Sequence, residues 1–192
     1  MADQVSDKKD LREKAVAERH AFVEMLDPLA HRLAFKAVPS PLSAMLGFAR
    51  TIALYVPLDD EAPALRLAEP LERLGKTICL PRVVDRIGSM EFHRWSKDAP
   101  LHAGPYGTSH PAPDTPVVAP DAIIAPLLGF DRRMNRLGWG GGYYDRAFAR
   151  FPDALRIGLA WSIQECDAVP ADVWDMPLHA VLTEVAFIEG VE

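Results

Sequence analysis

Apolar residues along this chain recur with two different periods, and the switching between them orders the predicted elements. From Lys8 the stretch KKDLREKAVAERHAFVEML is rich in helix formers, with Leu11, Ala15, Phe22 and Leu26 near one face before Asp27-Pro28 interrupts it. Residues 1–7 read as a frayed tail. A second helical run, PLAHRLAFKAV, ends before a turn at Ser40-Pro41. The stretch TIALYVPLDDEAPALRLAEPLERLG then predicts a strand over 51–56, an acidic turn, and a helix that Glu61 opens and Gly75 ends. KTICLPRV is another buried strand, and the order strand, helix, strand implies a right-handed crossover and a parallel pair.

Further on, MEFHRWS alternates like a half-exposed strand, with Met90, Phe92 and Arg94 on one face and Glu91, His93 and Trp95 on the other. Residues 99–116 are dense in proline and glycine and predict a long surface loop of the kind that serves as a lid or binding loop. AIIAPLLGF reads as a buried strand, RIGLAWS as a strand over 156–162, and VLTEVAFIE as one closing strand, with a polar connector before it.

The most informative stretch lies between two of these strands: FDRRMNRLGWGGGYYDRAFAR, residues 130–150. Gly140, Gly141 and Gly142 leave backbone N–H groups unshielded and allow positive φ. Tyr144, Phe148 and Phe151 follow at helical spacing, so the predicted geometry is strand, basic loop, glycine turn, helix, with an N-terminus that favours an anion. Arg132, Arg133 and Arg136 stand just upstream, within reach of the same anion. The string is neither GxGxxG nor GxxxxGK[ST]. From residue types alone it reads equally as a phosphate loop or as a turn that packs a helix close to a strand.

Composition narrows the class. With 192 residues, 49% apolar and 25% charged, the chain fits a single globular domain with a sizeable core. A net charge of −6 argues against general nucleic-acid binding, so a polyanionic ligand requires a local basic cluster such as the one near 132–146. Cys79 sits in an apolar run and Cys166 in a polar loop, which suggests neither a disulfide framework nor a metal cluster. The first twenty residues contain no apolar core, so no membrane span or secretory signal is expected and the cytoplasm is the default.

RLGWGGGYYDR, residues 136–146, resembles the signature of the 5-formyltetrahydrofolate cyclo-ligase family, also called 5,10-methenyltetrahydrofolate synthetases. KxxLR at Lys8 to Arg12, YVPLDDE, LPRV, and Gln164, Pro170, Asp175 and Thr183-Glu184 are similar to further family patterns; Trp174 stands where the family has histidine. The resemblance spans nearly the whole chain. It implies an α/β fold, a three-layer sandwich around a mainly parallel sheet, and a single domain over 1–192 acting as a monomer.

The implied activity is ATP-dependent closure of 5-formyltetrahydrofolate to 5,10-methenyltetrahydrofolate with release of ADP and phosphate. Lys8, Arg12 and Arg136 are then the cations that act on the triphosphate, and the ATP site extends through Leu137, Gly138, Trp139, Gly140, Gly141, Gly142, Tyr143 and Tyr144. Asp145 and Asp175 match carboxylates near Mg²⁺. Val56 and Glu61 match the folate site, with Trp139 and Tyr143 against the folate or in the core and Met90 or Phe92 along the same pocket. Taken without the resemblance, Lys8 and Arg12 read as a solvated helix face, Glu61 and Asp145 as first-turn acids, and Asp175 as a loop acid capping a turn. Two other classes stay open. One is a non-catalytic relative that senses nucleotide or folate. The other is a sugar-phosphate isomerase or acyl-CoA transferase on a related fold, for which Glu61 is the candidate base or nucleophile.

Overall fold

A computed structural model describes residues 2–84, 89–172 and 174–190, with side chains from Lys8 onward. In chain order the helices and strands are α1 (Ala2–Met25), α2 (Pro28–Leu33), α3 (Ser40–Met45), β1 (Thr51–Ala53), α4 (Ala68–Arg73), β2 (Thr77–Val83) and β3 (Met90–Arg94). There follow β4 (His102–Ala103), β5 (Ser109–His110), β6 (Ala122–Pro126), β7 (Gly129–Phe130), β8 (Arg136–Leu137), α5 (Tyr143–Arg150), β9 (Leu155–Leu159), β10 (Ala180–Leu182) and β11 (Phe187–Glu189).

Seven strands form one sheet in the order β11-β10-β9-β6-β1-β2-β3. The five central strands run parallel, and β3 and β11 close the two edges antiparallel. Period-two alternation divides the central strands between two cores. Ile52, Ile78, Leu80, Ile124 and Ile157 pack under the helices α2 to α4, whereas Ala53, Cys79, Ile123 and Ala125 face Phe148 of α5 and Phe130. The result is the expected helix, sheet, helix layering. The N-terminal helix spans both regions: Phe22, Val23 and Leu26 join the first core, while Leu11, Ala15 and Val16 pack on a small third cluster around Leu128, Leu137 and Val169.

Several elements differ from their expected limits for identifiable reasons. The first helix starts at Ala2, so most of the expected tail is helical. Met1 lies outside the described residues. The second helix stops at Leu33 because Phe35 takes φ +59° and turns its ring edge-on to Trp161, with centroids 5.2 Å apart. Ser40-Pro41 forms the first turn of α3 rather than a connecting turn, a position where proline's missing N–H costs nothing. The last strand is a hairpin, because Thr183 Oγ1 accepts the Val185 and Ala186 N–H groups and turns the chain back.

The β3 strand buries His93, with Trp95 just beyond it, on the face expected to be exposed, whereas Glu91 stays partly exposed and Arg94 exposed. Residues 99–116 fold over it and include the β4–β5 hairpin; His93 Nδ1 lies 2.9 Å from the Thr115 carbonyl oxygen, and Trp95 donates to the Ala99 carbonyl.

Candidate active site

Open parallel sheets bind ligands beyond the carboxyl ends of their strands where the strand order reverses. Here the chain moves from β1 outward to β2 and β3, then returns to place β6 on the other side of β1. The segments that leave β1 and β6 therefore diverge, and a cleft of about 1150 Å³ opens between them.

The segment after β1 is the 55–61 loop. The predicted strand ends early: Leu54 N–H still bonds across to Cys79, but Tyr55 then turns inward and donates its hydroxyl to Ala62 C=O. Glu61 does not open a helix. It accepts the Leu58 N–H on Oε2 and the Trp139 indole N–H on Oε1, and it is buried. Burial raises its carboxyl above the usual range, against the lowering effect of those two donors and of Arg19.

The wall after β6 is a two-stranded ribbon, β7 with β8, rather than an open basic loop. Asp131 makes the turn: its Oδ1 accepts the Arg133 and Asn135 N–H groups, and its Oδ2 accepts Asn135 Nδ2 and Val169 N–H. This turn takes Arg132 away from the cleft, where its Nε and Nη2 bind Glu165 at 2.5 and 3.0 Å, and Arg133 is likewise outside the cleft lining. Arg136 is the one arginine of the three that reaches it. Its guanidinium lies 5.7 Å from the ring centroids of both Tyr144 and Phe148, and Nη2 donates to Asp145 at 2.8 Å.

The glycines serve close approach as much as backbone freedom. A Cβ on Gly138 would stand 2.8 Å from Arg136 Nη1, and one on Gly140 only 3.3 Å from Arg12 Cζ. Gly140 and Gly142 also hold φ at +94° and +65°, and Gly142 leads straight into α5, which has no side-chain cap at that end.

Two cations arrive from α1. Arg12 Nε donates to Gly138 C=O at 2.9 Å, and Lys8 Nζ binds Asp172 at 2.6 Å and Asp175 at 3.0 Å. Burial pulls the Lys8 ammonium down, but its hydrogen bonds and charge pairing with the two aspartates outweigh this and leave it raised.

The cleft thus gathers Lys8, Arg12, Val56, Glu61, Arg136, Leu137, Gly138, Trp139, Gly140, Gly141, Gly142, Tyr143, Tyr144, Asp145 and Asp175. Met90 lines it too, whereas Phe92 packs on Phe151 in the core. The sequence reading missed Asp172, Tyr106 and Arg19. Asp172 lies three residues from Asp175 in the same loop and shares Lys8 with it. Tyr106 meets Tyr143 edge to face at 6.5 Å, a contact across the fold with no local signal. Arg19 follows Arg12 by two helical turns, so extending the Lys8, Arg12 stripe would have found it.

For a divalent cation the donor set is sparse. Among the described residues no group of three or more His, Cys, Asp or Glu side chains converges. Asp145 and Asp175 each place a carboxylate beside a cation of the cleft, Arg136 and Lys8 respectively, a set that suits an ion taking one or two carboxylates and completing its shell with ligand oxygens and water.

Such an arrangement defines a switch-point α/β protein whose cleft sets a cationic, glycine-bordered wall beside a buried carboxylate. The chain belongs to the 5-formyltetrahydrofolate cyclo-ligase family, whose model matches residues 4–184. It is similar to the 5-formyltetrahydrofolate cyclo-ligases of Haemophilus influenzae, with 32% identity over 70% of this chain and 75% of that protein, and of Escherichia coli K12, with 32% over 70% and 78%. Its fold is similar to that of the 5,10-methenyltetrahydrofolate synthetase from Aquifex aeolicus, with a TM-score of 0.75 and 30% identity over 95% of this chain and 92% of that one.

Proposed function

We propose that this protein closes the ring of 5-formyltetrahydrofolate at the expense of ATP, giving 5,10-methenyltetrahydrofolate, ADP and phosphate. One observation carries the reading beyond family membership: Lys8 and Arg12 of α1 meet Arg136 of β8 at the glycine-bordered wall, opposite the apolar and acidic 56–61 loop. One wall suits a triphosphate and the other a flat heterocycle with N–H donors.

The chemistry needs little from the protein beyond placement. A formyl oxygen leaves poorly as hydroxide. Attack of that oxygen on the γ-phosphoryl group breaks the bond to ADP and turns the oxygen into part of a phosphate. The N10 lone pair of the same folate then attacks the activated carbon, the carbon–oxygen bond breaks, phosphate departs, and N10 gives up its proton. Both nucleophiles belong to the substrate, so alignment and charge stabilisation are the protein's share.

Arg12 and Arg136 hold positions from which their guanidinium groups neutralise phosphate oxygens, and Lys8 adds a point charge from the next turn of the helix. The N–H groups of Gly140, Gly141 and Gly142 complete that wall. Val56, Trp139 and Tyr143 offer apolar surface to the folate rings, and Glu61 offers acceptors for pterin N–H groups. Lys8 is charge-paired with Asp172 and Asp175, and Arg136 with Asp145, so phosphate binding at these cations exchanges one anionic partner for another. The carboxylates so released suit Mg²⁺, which when bound supplies charge neutralisation at the phosphates.

The test is near-ultraviolet absorbance of the methenyl product. A rise that requires 5-formyltetrahydrofolate, ATP and Mg²⁺ together supports the reading. Ligand-dependent thermal stabilisation with no rise would overturn it in favour of a binding protein.

A further inference from the structure

Arg19 is the third cation on the α1 face that carries Lys8 and Arg12, yet it does not reach the phosphate wall. Its side chain is 2% exposed, and its Nε and Nη1 are buried and make no hydrogen bond among the described residues. Such a guanidinium is costly to bury, because desolvation is not repaid by donors that find acceptors. Its guanidinium carbon lies 5.6 Å from the centroid of the Trp139 ring. Trp139 is half exposed on the cleft side and donates its indole N–H to Glu61 Oε1 at 3.0 Å. A chain of contacts therefore runs from Arg19 through Trp139 to the one buried carboxylate of the folate wall.

We propose that Arg19 is a positioning residue for folate recognition: lying over the Trp139 ring, it sets the indole plane and, through the indole N–H, the orientation of Glu61. The proposal rests on the folate reading above. Trp139 presents to Glu61 the same kind of neutral N–H donor that a pterin offers. When the pterin takes Glu61, the indole gives up one hydrogen bond, and attraction to the cation behind it keeps the ring on the wall as a stacking surface. Arg19 also favours the ionised form of Glu61, which is the form that accepts from the pterin. The other charged or titratable groups that influence Glu61 are Asp59 on its own loop, Tyr55 at the loop's start and Tyr144 on α5.

Because the two buried nitrogens have no acceptors to leave behind, Arg19→Met preserves volume and stalk packing while removing the charge. The expected result is at least a tenfold rise in KM or Kd for 5-formyltetrahydrofolate. ATP affinity should stay within twofold, and Arg19→Lys should recover part of the loss. The acid limb of the pH profile of kcat/KM for folate should also move to higher pH in Arg19→Met, since a carboxyl that loses a nearby cation binds its proton more tightly. Unchanged folate affinity with an unmoved acid limb would overturn the proposal. Equal weakening for ATP and folate, with a lowered melting temperature, would also overturn it, as a purely structural role. Turnover by the unmodified protein, measured beside it, tests the cyclo-ligase reading separately.

Discussion

Replacing Arg136 by methionine tests the phosphate wall at its most constrained member. The side chain is 6% exposed, and the substitution removes three things at once. The first is cation attraction to the faces of Tyr144 and Phe148, about 0.5–2 kcal/mol where the rings exclude water. The second is the charge-assisted hydrogen bond to Asp145, about 1.5–3 kcal/mol. The third is the counter-charge of Asp145, whose side chain is 27% exposed, so water replaces much of what it loses. Methionine recovers part of the packing between the rings. The net cost to stability is then about 2–3 kcal/mol, a fall of roughly 4–12 °C in melting temperature for a domain of this size. Activity should suffer more. Removing one preorganised electrostatic partner of a developing charge costs about 3–4 kcal/mol, or roughly 10²- to 10³-fold in kcat. The assay is methenyl absorbance at a temperature where circular dichroism shows the variant folded. Arg136→Lys should lie between the two, because it keeps the charge and loses the planar stack. Folded Arg136→Met with kcat within threefold of the unmodified protein would refute the assignment of Arg136 to the transferring phosphoryl group.

The raised Glu61 carboxyl predicts that folate affinity, read by Trp139 fluorescence, falls on acidification with a midpoint above the ordinary carboxylate value of 4.5. The same group contributes stability that is complete below that ordinary value and lost as pH rises through its raised one. Glu61→Gln should therefore melt no lower than the parent at neutral pH while binding folate more weakly; a large drop in melting temperature would contradict this. Gly140→Ala should raise KM for ATP several-fold, because a methyl group at φ +94° and 3.3 Å from Arg12 Cζ forces that guanidinium to move. An unchanged KM for ATP would remove Arg12 from the triphosphate site. Asp121→Ala is the control: its Oδ2 accepts the Arg50 and Thr51 N–H groups at 2.8 Å each, at the start of β1 and far along the sheet from the cleft. It should cost about 1–2 kcal/mol in chemical denaturation, since the bonds are solvent-exposed, and change neither KM.

Most of the parallel sheet is legible in the sequence because its strands are buried on both faces and read as unbroken apolar runs bounded by glycine and proline. The limits that go wrong are those set by long-range contacts. Nothing near Phe35 announces that its ring will turn back onto Trp161, and nothing in MEFHRWS shows that residues 99–116 will cover its polar-looking face. The glycines of the signature are visible at once, but their physical reason differs from the one residue types suggest. Gly138 lies against the side chain of Arg136 two residues before it, and Gly140 against Arg12, a contact that depends on where α1 packs. The direction of Arg132 likewise depends on Asp131, whose four hydrogen bonds build the turn and whose partner Val169 lies far along the chain.

The state of the potential nucleophiles supports a reaction in which the substrate supplies its own. Burial pushes the Cys79 thiol up to about 12 and raises Cys166 as well, so neither is a ready thiolate. Tyr144 lines the cleft, but burial, with Glu61 acting in the same direction, raises its hydroxyl far above the usual phenol range; Tyr55 behaves alike and spends its proton on the Ala62 carbonyl. Glu61 is the buried carboxylate of the 56–61 loop, and both of its oxygens are engaged by N–H donors, which suits an acceptor held still rather than an attacking base. A transferase or isomerase would need one of these groups ionised and free at neutral pH. A cleft that keeps its buried tyrosine hydroxyls protonated, has no cysteine in its lining and pairs Lys8 and Arg136 with carboxylates is better arranged to hold two reacting ligands than to react with either.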